Sequence, residues 1–172
     1  MSLIRHIFSA TDLSVHSLQA VARAADLAAT CGARHPVMHA LGLDALGPLR
    51  NLLGERADEV AHNAVQQQHD ALVAALADPR RRAGPPPTPR VEEGLATSVV
   101  PTRARELDAD LVVVGARGQS VLRRMVVGST ASRLLRKSRC PVLVVKNPCH
   151  QPYRRVLLPM DFSPGSALAL RL

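Results

Sequence analysis

Two short runs most constrain how this chain can fold: Leu111-Val112-Val113-Val114 and Pro141-Val142-Leu143-Val144-Val145. Each is continuously apolar and rich in β-branched residues, the pattern of a strand buried on both faces rather than one with a wet side. Such strands lie inside a sheet covered by helices, and the rest of the chain supplies the other elements. Residues 4–11 read as a strand ending in the turn Thr11-Asp12-Leu13-Ser14. Val15, Leu18, Ala22, Ala25 and Ala29 then recur at helical spacing up to Cys31, with Gly32 where a helix C-cap belongs. Pro36 to Leu41 is a second strand, and residues 42–54 form a loop broken by Gly47-Pro48. Glu55 to Ala77 is a second amphipathic helix. Asp78 to Pro89, which contains Gly84-Pro85-Pro86-Pro87, is too rich in proline for a helix or a central strand and reads as an extended surface loop. A strand over Arg90–Glu93 and helices over Thr97–Leu107 and Ser129–Ser138 complete the pattern. Strands alternating with helices imply right-handed crossovers, hence an open five-stranded parallel α/β sheet with helices on both faces.

At 172 residues the chain accommodates one domain and a short remainder. It is 47% hydrophobic and 21% charged, a globular composition, and no apolar run approaches the ~20 residues of a membrane span. The N-terminus turns polar at Ser9 and Thr11, short of the ~7–15 apolar residues of a secretory signal. Three cysteines, Cys31, Cys140 and Cys149, form no Cys-x-x-Cys pair and no disulfide framework. A cytoplasmic location is expected. The net charge of +8, from 22 basic residues against 14 acidic, raises the question of nucleic acid. The arginines are dispersed apart from short runs such as Arg80-Arg81-Arg82 and Arg123-Arg124, and one Tyr and two Phe leave little to stack on bases, which argues against that partner.

In parallel sheets of this kind ligands bind beyond the carboxyl ends of the strands, where the strand order reverses. After Val114 come Gly115-Ala116-Arg117-Gly118, and ten residues past Gly118 the run Gly128-Ser129-Thr130 opens the next helix. Glycine there lets a ligand approach the backbone, while Ser129 either caps the helix or presents its amides and hydroxyl to an anion. The residues alone leave both readings open, an anion site or a turn followed by a capped helix.

The spacing G-x2-G-x9-G-[ST] between a buried strand and a helix resembles the nucleotide-binding signature of the universal stress proteins. The resemblance spans residues 3–146 through Thr11-Asp12-Leu13-Ser14, Met38-His39-Ala40-Leu41, Gly94 and the flanks Asp110–Val114 and Ser138–Val145. It implies a Rossmann-like sheet of strand order 3-2-1-4-5. It also implies that adenine and ribose lie against Ala10, Thr11, Asp12 and Ala40, with Val114 and Gly115 beside them. Arg117, Gly118, Gly128, Ser129 and Thr130 would surround the phosphates of ATP, or of ADP or AMP, with Mg as an accompanying ion. Ala10 departs from the proline that many relatives carry.

Neither the P-loop spacing G-x4-G-K-[ST] nor G-x-G-x-x-G after the first strand is present. His16, His39, His62 and His69 have no positioned nucleophile and are assigned to packing or surface. Fast hydrolysis needs a metal site and an oriented water, and no second carboxylate stands near the glycine loop. The expectation is an ATP-binding stress-response module, not an enzyme, with at most slow hydrolysis. A regulatory domain that binds no nucleotide and a nucleotide α-hydrolase of the wider superfamily remain the alternatives. The resemblance further implies a homodimer through Val142–Val145, an apolar edge strand that proteins ordinarily cover.

Residues 148–152 read as a linker within which Cys149-His150 is solvated, after which the chain starts over. A shift of 149 residues places Arg5 on Arg154, Asp12 on Asp161, Ser14 on Ser163, Ser17 on Ser166 and Ala20 on Ala169. Val156–Met160 is then a strand copying Ile7–Thr11. Residues 1–147 form one domain and 153–172 the incomplete start of a second repeat, as in a tandem member truncated shortly after that repeat begins.

Overall fold

A strand apolar on both faces needs a hydrogen-bonded neighbour on each side, and Leu111–Gly115 (β4) has them. It pairs in parallel with Ile7–Thr11 (β1) and Val142–Val145 (β5); Pro36–Leu41 (β2) joins β1, and Thr88–Glu93 (β3) joins β2. The order β3-β2-β1-β4-β5 is the one the resemblance implied. These relations come from a computed structural model that describes residues 4–42, 55–77, 86–116, 127–147 and 151–169.

Alternation along the strands sends neighbouring side chains to opposite faces. Ile7 and Val113 meet Ala20, Ala24 and Ala28 of Val15–Cys31 (α1), small residues that bring the helix close to the sheet. Leu72 of Glu55–Leu76 (α2) packs beside it on Val21 and Val37. On the other face Phe8, Met38, Val112 and Val114 lie under Val100 and Ala104 of Ala96–Glu106 (α3) and under Ala131 and Leu134 of Ser129–Lys137 (α4). The helix ends fall within a residue of those expected. Ser14 caps α1 by accepting from the Ser17 amide, and Gly32, at φ 67°, closes it by donating to the Ala28 carbonyl.

The sequence reading needs correction at two places. Pro89 belongs to β3 rather than to the preceding loop. It is tolerated because β3 is an edge strand, where a missing N–H need not break a ladder. The strand expected at Val156–Met160 does not form: Val156 is 84% and Leu157 92% exposed, and neither has a sheet neighbour. An apolar run becomes a strand only if another strand satisfies its backbone. A short helix, Pro164–Ala169 (α5), follows. This segment meets the domain where the Tyr153 ring lies 4.6 Å from the guanidinium of Arg23 on α1. The expected loop at 43–54 and residues 78–85 of the next one lie outside the described residues.

Candidate functional site

The strand order reverses between β1 and β4, and the register Ala10↔Val114 brings their carboxyl ends level. Thr11↔His39 aligns β2 as well, so Asp12 just after β1, Ala40 near the end of β2 and Gly115 at the end of β4 lie at one end of the sheet. Val114 and Thr11 are buried, whereas Ala10, Asp12, Ala40 and Gly115 are half-buried and form the accessible margin.

The turn after β1 is held by its own side chains. Thr11 Oγ1 and Ser17 Oγ share a 2.8 Å hydrogen bond, and Thr11 Oγ1 also accepts from the Leu13 amide at 3.0 Å. Asp12 Oδ1 accepts from the Ser14 amide at 3.1 Å and from the Ser14 hydroxyl at 2.6 Å. Leu13 consequently adopts φ 62°, an uncommon conformation for a leucine. His39 is buried and its Nδ1–H donates to the Thr11 carbonyl at 2.9 Å, which supports packing rather than catalysis. His16 and His62 are exposed.

Beyond β4 the chain returns to the same end. The Gly128 amide donates to the Ala116 carbonyl at 2.7 Å, and the Ala116 amide donates to Val145, so the start of α4 is tied to β4 and β5. Gly128 is the N-cap and supplies no side-chain bond. Ser129 is therefore the first helical residue rather than the cap, and it is exposed with Thr130. A helix start without a side-chain cap leaves its first amides to water or to an anion, and the helix dipole favours the anion. Arg117 and Gly118, also assigned to the phosphates, lie outside the described residues.

Ser17 escaped the sequence reading as a site-forming residue. It had been marked only by its recurrence at Ser166, and nothing in its helical spacing says that its hydroxyl reaches back across the turn to Thr11. Gly94 has a definite reason to be glycine: its φ is 130°, and a Cβ there would stand 2.8 Å from Val99 Cγ1. Its amide donates to the Leu41 carbonyl at 2.9 Å, closing the end of β2 and β3.

The parallel order and its reversal between β1 and β4 define the class, an open, doubly wound α/β domain, and in such sheets ligands bind beyond the carboxyl ends of the strands at the reversal. Comparison with known proteins narrows this further. Residues 3–146 match the universal stress protein family, and the chain belongs to that family. Universal stress protein MJ0531 of Methanocaldococcus jannaschii is 27% identical over 147 residues, covering 86% of this chain and 85% of that one. A universal stress protein solved in complex with cAMP superposes with a TM-score of 0.55 at 25% identity, covering 83% of this chain and 97% of the other. The Archaeoglobus fulgidus protein in complex with dAMP shares the fold at a TM-score of 0.51 and 21% identity, covering 85% of this chain and 100% of that one.

Proposed function

We propose that this chain binds an adenine nucleotide, ATP in the first instance, and acts as a regulatory stress-response module rather than as an enzyme. The observation that carries the reading is the start of α4, uncapped by any side chain and tied to the end of β4 by the Gly128–Ala116 hydrogen bond. A phosphate there meets the first amides of α4 and the hydroxyls of Ser129 and Thr130, with Gly128 allowing close approach. Asp12 and Ala40, across the strand order reversal, suit ribose and adenine. That relatives of this fold are solved with cAMP and dAMP supports adenine as the base. Mg, when bound, would neutralise phosphate charge. In the same reading the protein is cytoplasmic and dimerises along the outer edge of β5, and residues 153–172 begin a second unit.

Gly128→Val tests the proposal. Gly128 sits at φ −65° and ψ 159°, which any residue adopts, so the fold should persist while the added methyls obstruct the phosphate. Calorimetry should show ATP binding to the wild-type chain and none to the variant. Equal affinities would overturn the reading. Mass spectrometry of nucleotide released from purified protein identifies the ligand.

A further inference from the structure

The amino ends of the strands, opposite the site just described, enclose a cavity of about 490 Å³. Small-molecule sites occupy roughly 300–1,000 Å³. Phe8 and Met38 are fully buried at its base, and Pro36 and Leu107 are half-buried on its walls. This gives an apolar body to the site. It exists because α3 covers β1 and β2 while the same face of β3 carries Thr88 and Arg90 in place of core residues; Thr88 pairs in register with Pro36 and Arg90 with Met38.

The charges on its rim are unequal. Arg103 is engaged by Glu92 and, at 2.8 Å, by Glu106, so these groups largely neutralise one another. Arg90 is only 3.8 Å from the same Glu92 and its side chain is 58% exposed. Arg34 has no carboxylate within salt-bridge distance among the described residues. Asp108 also lines the cavity, and its carbonyl accepts from His6 Nδ1 at 3.3 Å. The three arginines and the carboxylates Glu92, Glu106 and Asp108 balance in total, but among the described residues Arg34 stands beside the apolar walls without a carboxylate in salt-bridge reach, and arginine is the side chain best matched to a carboxylate.

We propose that this cavity is a second binding site, for a small organic monoanion: a carboxylate on an aromatic or short aliphatic body. The apolar body rests on Pro36 and Leu107, and the carboxylate meets Arg34 or Arg90. The site shares no residue with the switch-point crevice, so it does not depend on the nucleotide reading.

Phenylacetate, with neutral phenylacetamide as its control, tests this by amide chemical-shift titration of the full chain. Millimolar phenylacetate should shift the amides of residues 34, 35, 37 and 38, 88 and 90, and 107–109, saturably, and saturating ATP should leave that titration unchanged. Phenylacetamide should bind roughly tenfold more weakly or worse, as should phenylacetate to Arg34→Glu/Arg90→Glu, since losing a charged hydrogen bond costs that much or more. Both arginines are exposed, and an unchanged amide spectrum elsewhere confirms that the double variant folds. Leu107→Trp, which fills the cavity from its wall, should block binding without altering charge. The proposal fails if phenylacetate produces no saturable shifts here, if ATP displaces it, if phenylacetamide binds equally well, or if the double variant retains full affinity.

Discussion

The turns at Asp12-Leu13-Ser14 and Asp161-Phe162-Ser163 are built alike and end differently. In both, the aspartate Oδ1 accepts from the serine amide two residues on, at 3.1 Å for Ser14 and 2.9 Å for Ser163. In both, the next serine donates its amide to that hydroxyl, Ser17 at 3.3 Å and Ser166 at 3.2 Å. Even the strained middle residue repeats, with Leu13 at φ 62° and Phe162 at 60°. The flanks do not repeat. Ile7–Thr11 is a buried strand and α1 has 17 residues, whereas Val156–Met160 forms no strand with any of the described residues and α5 has 6. Hydrogen bonds that close within three residues form wherever the sequence allows them; a strand and a long amphipathic helix require a surface to pack on.

The largest expected effect separates the flanks. Phe8 and Leu157 are equivalent under the repeat, but Phe8 is 1% exposed and Leu157 92%. Phe8→Ala should cost about 3–5 kcal/mol in urea denaturation, while Leu157→Ala should stay within about 0.5 kcal/mol. A large loss at Leu157 would show that the second turn belongs to a packed element. Next come the two aspartates. On the proposed nucleotide reading, Asp12→Ala should weaken both adenosine and ATP by about tenfold or more, while Asp161→Ala changes neither, as calorimetry would report.

The serines should differ by less. Ser17 is buried and joins Thr11 to the turn, so Ser17→Ala should lose about 1 kcal/mol by removing that buried hydrogen bond, while Thr11 Oγ1 keeps the Leu13 amide. Among the described residues Ser166 bonds back within its own turn, to Asp161 and Ser163, since Met160 stands where Thr11 does and has no hydroxyl, and Ser166→Ala should leave the unfolding midpoint in place. The smallest effect is in acid. The Arg5 amide, foremost, and the His6 amide hold the Asp110 carboxyl below its ordinary value of 3.8, against an opposing push from burial. A depressed pKa contributes stability that is whole above the unfolded value and vanishes as pH falls through the folded one. Asp110→Asn should therefore flatten the stability profile below pH 3.8. The Ser163 hydroxyl and amide lower Asp161 to about 2, but those bonds lie in a turn not tied to the sheet, so Asp161→Asn should leave the acid limb unchanged.

Periodicity along the chain was enough to place five strands in the domain and the helices of the described residues, because burial on one or both faces writes itself into residue spacing. The buried run at β4, the strand at β5 and the cap at Gly32 were legible in this way, while the place of Gly128 was implied by the family resemblance. Pro89 was misplaced because proline is incompatible with a central strand but not with an edge, and the edge exists only once the strand order is known. Val156–Met160 differs for the complementary reason: its residues suit a strand, and no partner strand adjoins them among the described residues.

What the sequence determined by itself is local and statistical: which segments can be helix or strand, where the chain must turn, and the family pattern that joins Gly115, Gly118, Gly128 and Ser129. Tertiary structure alone decided that Ser17 reaches Thr11, that Ser129 follows the cap instead of being it, and that Arg34 and Arg90 share a cavity with Phe8. Each of those facts joins groups through positions in space that no residue spacing encodes. The two Asp-x-Ser turns mark the boundary, since their bonds close within a few residues and so recur with the sequence, while the strand before each turn forms only where β2 and β4 stand ready to pair with it.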